Sequence, residues 1–203
     1  MADRKLNARK TALIIQDLQN DVITEGGAFA SSGAPAHAKK QNVVENVKKL
    51  AAAMRKAGGI VIHVHYIVEP GAPGLKLNAP LFRGIAESKA VVRGTWGAAP
   101  VEGLEPQKGD VVVEKIRMNG FHGTKLDTIL QGYGIDSLVI TGAWTNFSIE
   151  HTARHGADSG YEVVVATDGT STINDEWQNA GINFALQNIA DRWSCEEIIQ
   201  ALN

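Results

Sequence analysis

Four short apolar runs constrain this chain more than any other feature: Leu13-Ile14-Ile15, Val111-Val112-Val113, Leu138-Val139-Ile140 and Val163-Val164-Val165. They are continuous rather than alternating, which is the pattern of central strands buried on both faces of a parallel sheet. They predict strands over residues 11–17, 110–115, 136–141 and 161–166, with a further strand at 60–66 and a short one at 190–195. Helix-length segments lie between them. Residues 41–57 place Val43, Val44, Val47, Leu50, Ala51 and Met54 at helical spacing, and Gly58-Gly59 ends that helix because glycine turns left-handed at little cost. Further helices are expected at 124–131, 146–159, 175–189 and the C-terminus. The alternation predicts a three-layer α/β fold of about six parallel strands in Rossmann-like order, with helices on both faces. At 203 residues and 44% hydrophobic content, the chain reads as a single domain.

Residues 67–108 are rich in glycine and proline and show little periodicity. A connection that long is expected to shape a pocket or an interface. The formal net charge of -2 argues against a broad phosphate-binding surface, so no nucleic acid partner is expected. No apolar run approaches the roughly 20 residues that span a bilayer, and the N-terminal MADRKLNARK lacks the apolar core of a signal peptide. Cys195 is the only cysteine, which rules out an intramolecular disulfide and fits a reducing compartment. A cytoplasmic location without membrane association is the expectation.

In open parallel sheets ligands bind beyond the carboxyl ends of the strands. That rule selects Asp17, His65, Lys115 and the segment after Thr141. Asp17 ends the first strand, Lys115 ends the third, and Ser148 follows the fourth at the start of a helix. Each has an ordinary alternative: a turn cap, a surface lysine, a helix cap. Gathered in one crevice, they would supply a nucleophile and its base.

Three segments around these residues carry a resemblance: DLQND (17–21), VVEKIRMNGFHGTKLD (112–127) and TGAWTNFSIEHTARHGADSGYEVVVATD (141–168). In order along nearly the whole chain, they resemble the signature segments of the isochorismatase-like cysteine hydrolase superfamily. The third resembles T-G-V-x-T-N-x-C-V-E-x-T-A-R, a form that points to the amidohydrolase branch acting on ureidoacrylate, biuret or N-carbamoylsarcosine. The resemblance implies catalytic roles for Asp17 and Lys115, with Ser148 standing where the family has its cysteine. It also implies an oxyanion hole from the backbone N–H groups of Trp144 and Ser148, and a cis peptide at Ala143–Trp144. Asp17 would be the general base and Lys115 would hold it in place, leaving it a weak base.

A serine hydroxyl is far less acidic than a thiol and needs a base during attack itself. The chain is therefore expected to be slow or inactive in covalent catalysis, either as a cysteine-to-serine form or as a natural variant with noncovalent chemistry. Three readings stay open. One is hydrolysis of a C–N bond in a small carboxamide or ureido compound through an acyl-enzyme at position 148. Another is vinyl-ether hydrolysis of an isochorismate-like substrate with Asp17 as general acid. The last is a catalytically silent ligand-binding protein.

Phe29, Trp96, Asn119, Phe121, Phe147 and Gln178 are candidates to line a substrate pocket, and Trp144 is a further wall residue. Val22 occupies a position usually aromatic in the family, which implies an altered wall there. His63 and His65 are read as facing opposite sides of the sheet, and no metal site is expected from them or from His151 and His155. No residue calls for a cofactor. The resemblance implies a small-molecule substrate and a homodimer or homotetramer.

Overall fold

The computed structural model describes residues 5–202. Its strands are β1 (Thr11–Gln16), β2 (Ile60–Tyr66), β3 (Val111–Lys115), β4 (Ser137–Ala143), β5 (Glu162–Ser171) and β6 (Asp191–Trp193). They form one parallel sheet in the order β3-β2-β1-β4-β5-β6, with Ile15 opposite Thr141 across β1 and β4. The strand order reverses between β1 and β4, so a crevice opens above the ends of these two central strands. This is the three-layer α/β arrangement expected from the sequence.

Strand periodicity splits the core in two. Leu13, Ile15 and Val61 face the layer containing α1 (Asn20–Ile23), α2 (Ala34–Lys40), α3 (Val43–Lys56) and α4 (Pro80–Glu87). Ala12, Ile14, Ile62 and Val64 face the opposite layer, with α5 (Leu126–Gly132) and α6 (Glu150–Asp158). In α3 the buried residues are Val43, Val47, Leu50, Ala51 and Met54, one stripe at helical spacing. Gly58 N bonds Arg55 O and Gly59 N bonds Met54 O, which closes the helix through Gly58 at φ 80°. The last helices are α7 (Asp175–Asn179) and α8 (Cys195–Ala201). Among the described residues no helix is long and apolar enough to cross a membrane.

Several expectations need correcting. The Val111-Val112-Val113 run forms an edge strand rather than a central one, and Val112 is 47% exposed. The helix expected at 146–159 opens with a π-helical turn, Thr145–Ile149, before α6 begins. The helix expected at 175–189 is α7 followed by a second π-helical turn, Ala180–Ala185. His63 and His65 lie two residues apart in a strand, so they share a face. Their rings sit 5.8 Å apart, on the side of Val61. His63 Nε2 meets Asp110 Oδ2 at 3.1 Å, and that carboxylate also takes the Arg55 guanidinium.

The long connection contains α4 and is tied down by buried polar groups. Asp21 accepts the backbone N–H of Ala28 and of Val91. Gln19 bonds Tyr66 O, Tyr66 N and Ala98 O. These contacts hold Val91 and Ala98 of the connection against the segment that follows β1.

Candidate active site

Asp17 follows β1 directly and turns with φ 56°, a left-handed conformation that aspartate tolerates better than most side chains. Its N–H donates to Val64 O at 2.9 Å. Lys115 ends β3, where alternation turns Val113 and Lys115 inward. Ser148 arrives from β4 through Gly142, the cis Ala143–Trp144 peptide and the π-helical turn. Gly142 has φ 129°, and a Cβ there would fall 1.9 Å from Gln16 O. Only glycine lets β4 run this close to the end of β1.

Lys115 Nζ donates to Asp17 Oδ2 at 2.8 Å, to Arg117 O at 3.0 Å and to Ser148 Oγ at 3.4 Å. Its fourth neighbour is the Tyr66 ring, 4.5 Å away. The Ser148 hydroxyl donates to Met118 Sδ at 3.7 Å, and Asp17 Oδ1 has no hydrogen-bond partner among the described residues. Burial pushes the Asp17 carboxyl above the usual carboxylate range, against the attraction of Lys115. Burial likewise holds the Lys115 ammonium below its ordinary value, against the pull of Asp17. Asp17 was expected to be a weak base beside Lys115. The water-excluded site reverses that direction, because desolvation of the carboxylate outweighs the ion pair.

Gln16 was not singled out by the sequence reading. Its Nε2 donates to Ser148 O at 3.0 Å and Met118 O at 3.3 Å, and its Oε1 accepts from Thr152 Oγ1 at 3.0 Å. Thr152 in turn accepts the N–H of Gly120. One amide thus pins both the turn carrying Ser148 and the segment after Lys115. A fully buried glutamine at the end of an otherwise apolar strand was the available signal. Gln16→Leu leaves those carbonyls unpaired, so a loss of roughly 1–3 kcal/mol is expected in urea unfolding. Whatever reaction the site performs should also lose kcat more than it gains KM, since the shift acts on placement of the nucleophile.

A cleft opens above these residues. Asp17, Ser148, Tyr66 and Ala143 form its base. Val22, Phe29, Met118, Trp144 and Phe147 also line it, with Leu81, Ile85 and Val91 from the long connection. Trp144 meets Phe29 edge-on at 5.8 Å and Phe147 at 5.9 Å.

Residues 11–196 match the isochorismatase domain. The chain belongs to the isochorismatase family. This isochorismatase-family hydrolase is 35% identical over 195 residues to ureidoacrylate amidohydrolase RutB of Methylorubrum extorquens, covering 90% of this chain and 77% of that relative. A cysteine hydrolase from Pseudomonas syringae pv. phaseolicola shares its fold with a TM-score of 0.86 at 25% identity, over 98% of this chain and 94% of that one. N-carbamoylsarcosine amidase from Thermoplasma acidophilum matches with a TM-score of 0.72 at 25% identity, over 93% and 98% of the two chains.

In this isochorismatase-family chain, Asp17, Lys115 and Ser148 converge, with Phe29, Trp144 and Phe147 around them. Four other candidates lie away from the cleft. Trp96 is 56% exposed, its backbone carbonyl accepting from Asn20 Nδ2. Asn119 bonds Phe121 N and the His155 ring, and Phe121 belongs to the core on the α5–α6 side, stacked on His155 at 4.7 Å. Gln178 accepts from Thr145 Oγ1 at 2.6 Å and donates to Thr170 Oγ1 at 3.1 Å, so it braces the first residue of the π-helical turn from behind. His151 is also turned elsewhere, its Nδ1 lying 2.9 Å from Phe147 O.

Proposed function

We propose that this cleft hydrolyses a C–N bond in a small carboxamide or ureido compound by acyl transfer to residue 148, and that serine there makes the reaction slow. The observation that carries the reading is the buried Asp17–Lys115 pair in contact with Ser148 at the floor of the cleft. The names of the amidohydrolase relatives support the C–N bond as the one broken. The nucleophile attacks the carbonyl carbon and its proton passes to Asp17 Oδ1, the oxygen without a partner. Backbone N–H groups of Trp144 and Ser148 stabilise the negative oxygen. Asp17 returns the proton to the leaving nitrogen as the C–N bond breaks. Water then attacks the acyl group, giving its proton to Asp17, and the free acid departs with the nucleophile reprotonated. Lys115 holds Asp17 in line and keeps a positive charge beside the nucleophile.

One observation favours a second reading. A carboxyl whose proton affinity is raised by burial, with one oxygen unpaired, also suits a general acid for vinyl-ether hydrolysis, which needs no thiol. The two readings differ in pH dependence. Amide hydrolysis needs Asp17 ionised, so kcat/KM rises as pH climbs through its elevated pKa. General-acid hydrolysis of isochorismate needs Asp17 protonated, so its rate falls over the same interval. The test is to assay the chain as it stands and its Ser148→Cys variant on amides, ureides and isochorismate across pH. Amide turnover that increases in the variant supports the first reading. Equal isochorismate turnover by both forms, abolished by Asp17→Ala, supports the second.

A further inference from the structure

We infer that the non-reacting part of the substrate is uncharged and apolar: the cleft takes a small apolar carboxamide rather than an amide or ureide bearing a carboxylate. This inference rests on the reading of the cleft as an amide-hydrolysing site and adds the substrate class.

The lining carries it. Among the described residues, Asp17 is the only charged one that lines the cleft, and it is an acid at the reacting end. The nearest cation, Lys115, has its side chain fully buried and is bonded to Asp17 and Arg117 O. Arg117 is not among the lining residues; its guanidinium lies over the Phe82 ring at 4.3 Å and its Nη1 donates to Lys76 O and Asn78 Oδ1.

The neutral donors are committed as well. The Tyr66 hydroxyl donates to Ile116 O at 2.8 Å, and Trp144 Nε1 donates to Val22 O at 3.3 Å. A carboxylate entering this cleft would lose water and find no side-chain donor along the walls, a strongly unfavourable exchange. An aliphatic group or a single ring would instead meet Val22, Leu81 and Ile85 together with the rings of Phe29, Trp144 and Phe147. Val22 contributes to this selectivity, since a small side chain there leaves room without adding a polar group.

A matched pair of probes tests the inference: benzamide and 4-carbamoylbenzoate, which differ by one carboxylate. Their hydrolysis by the Ser148→Cys variant and their binding to the chain as it stands, by isothermal titration, are measured together. The expected result is a kcat/KM at least about 100-fold higher for benzamide, with binding showing the same order. Equal or preferred hydrolysis of 4-carbamoylbenzoate overturns the inference while leaving amide hydrolysis intact. Preferential binding of benzamide without turnover of either probe supports the apolar site and counts against the hydrolytic reading. Absence of both binding and turnover overturns the inference.

Discussion

Lys115→Met is expected to lower the unfolding free energy at neutral pH by roughly 3–5 kcal/mol, the usual cost of leaving one member of a buried ion pair uncompensated. Both side chains are almost wholly enclosed, and among the described residues the ammonium is the only cation bonded to the Asp17 carboxylate. The effect has a defined pH dependence. Burial already raises the folded-state pKa of Asp17 above its ordinary value of 3.8. Stability derived from a protonated Asp17 is complete below that ordinary value and is lost as pH rises through the folded one. Removing Lys115 takes away the attraction that opposed burial, so the folded pKa climbs further. The variant should therefore approach the parent chain in acid and fall furthest behind at neutral and alkaline pH. Urea unfolding at several pH values measures this directly. A double variant, Asp17→Asn with Lys115→Met, should recover much of the loss because neither buried charge remains. A uniform deficit at every pH would mean that Lys115 contributes through packing alone.

Ser148→Cys is expected to raise amide hydrolysis by at least about 100-fold, equivalent to roughly 2.7 kcal/mol of barrier. A thiol has an ordinary pKa near 8.5, so a lysine nearby can favour the thiolate, whereas an alcohol must lose its proton during attack. The neighbourhood suits this: Lys115 Nζ lies 3.4 Å from Ser148 Oγ, and Met118 is an unbranched neighbour that can accommodate sulfur. The acid limb of the variant's pH profile should sit above the ordinary carboxylate range, following Asp17. Lys115→Met in the same background should move that limb higher still. An unchanged rate would place the limiting step away from residue 148.

Much of this site was legible in the sequence, and the reasons are particular. Continuous apolar runs marked the strands because a parallel sheet covered on both faces has no solvent side. Strand ends then located Asp17 and Lys115, and the segment after β4 located Ser148. The cleft walls were harder. Leu81, Ile85 and Val91 come from a Gly/Pro-rich connection whose helix α4 is short and begins at Pro80, so periodicity had few turns in which to appear. Gln16 was passed over, and Gln178 was read as a pocket residue whereas its bonds run to Thr145 and Thr170, for the same physical reason. A buried amide can either face a ligand or satisfy backbone and side-chain groups behind the site, and sequence does not distinguish the two. Trp96 and Phe121 show the matching ambiguity for aromatic residues, one at the surface and one in the core. The Val111–Val113 run shows that apolar continuity reports strand formation more securely than position within a sheet.

The central claim is that residue 148, served by Asp17 and Lys115, takes an acyl group from the substrate. Intact-mass analysis of the Ser148→Cys variant, acid-quenched during turnover of a small apolar carboxamide, tests it most directly. The account predicts an added mass equal to the acyl group, located on the peptide containing residue 148 and missing when Asp17 is also changed to Asn. Amide turnover with no such adduct, at the same rate with serine or cysteine at position 148, would contradict it.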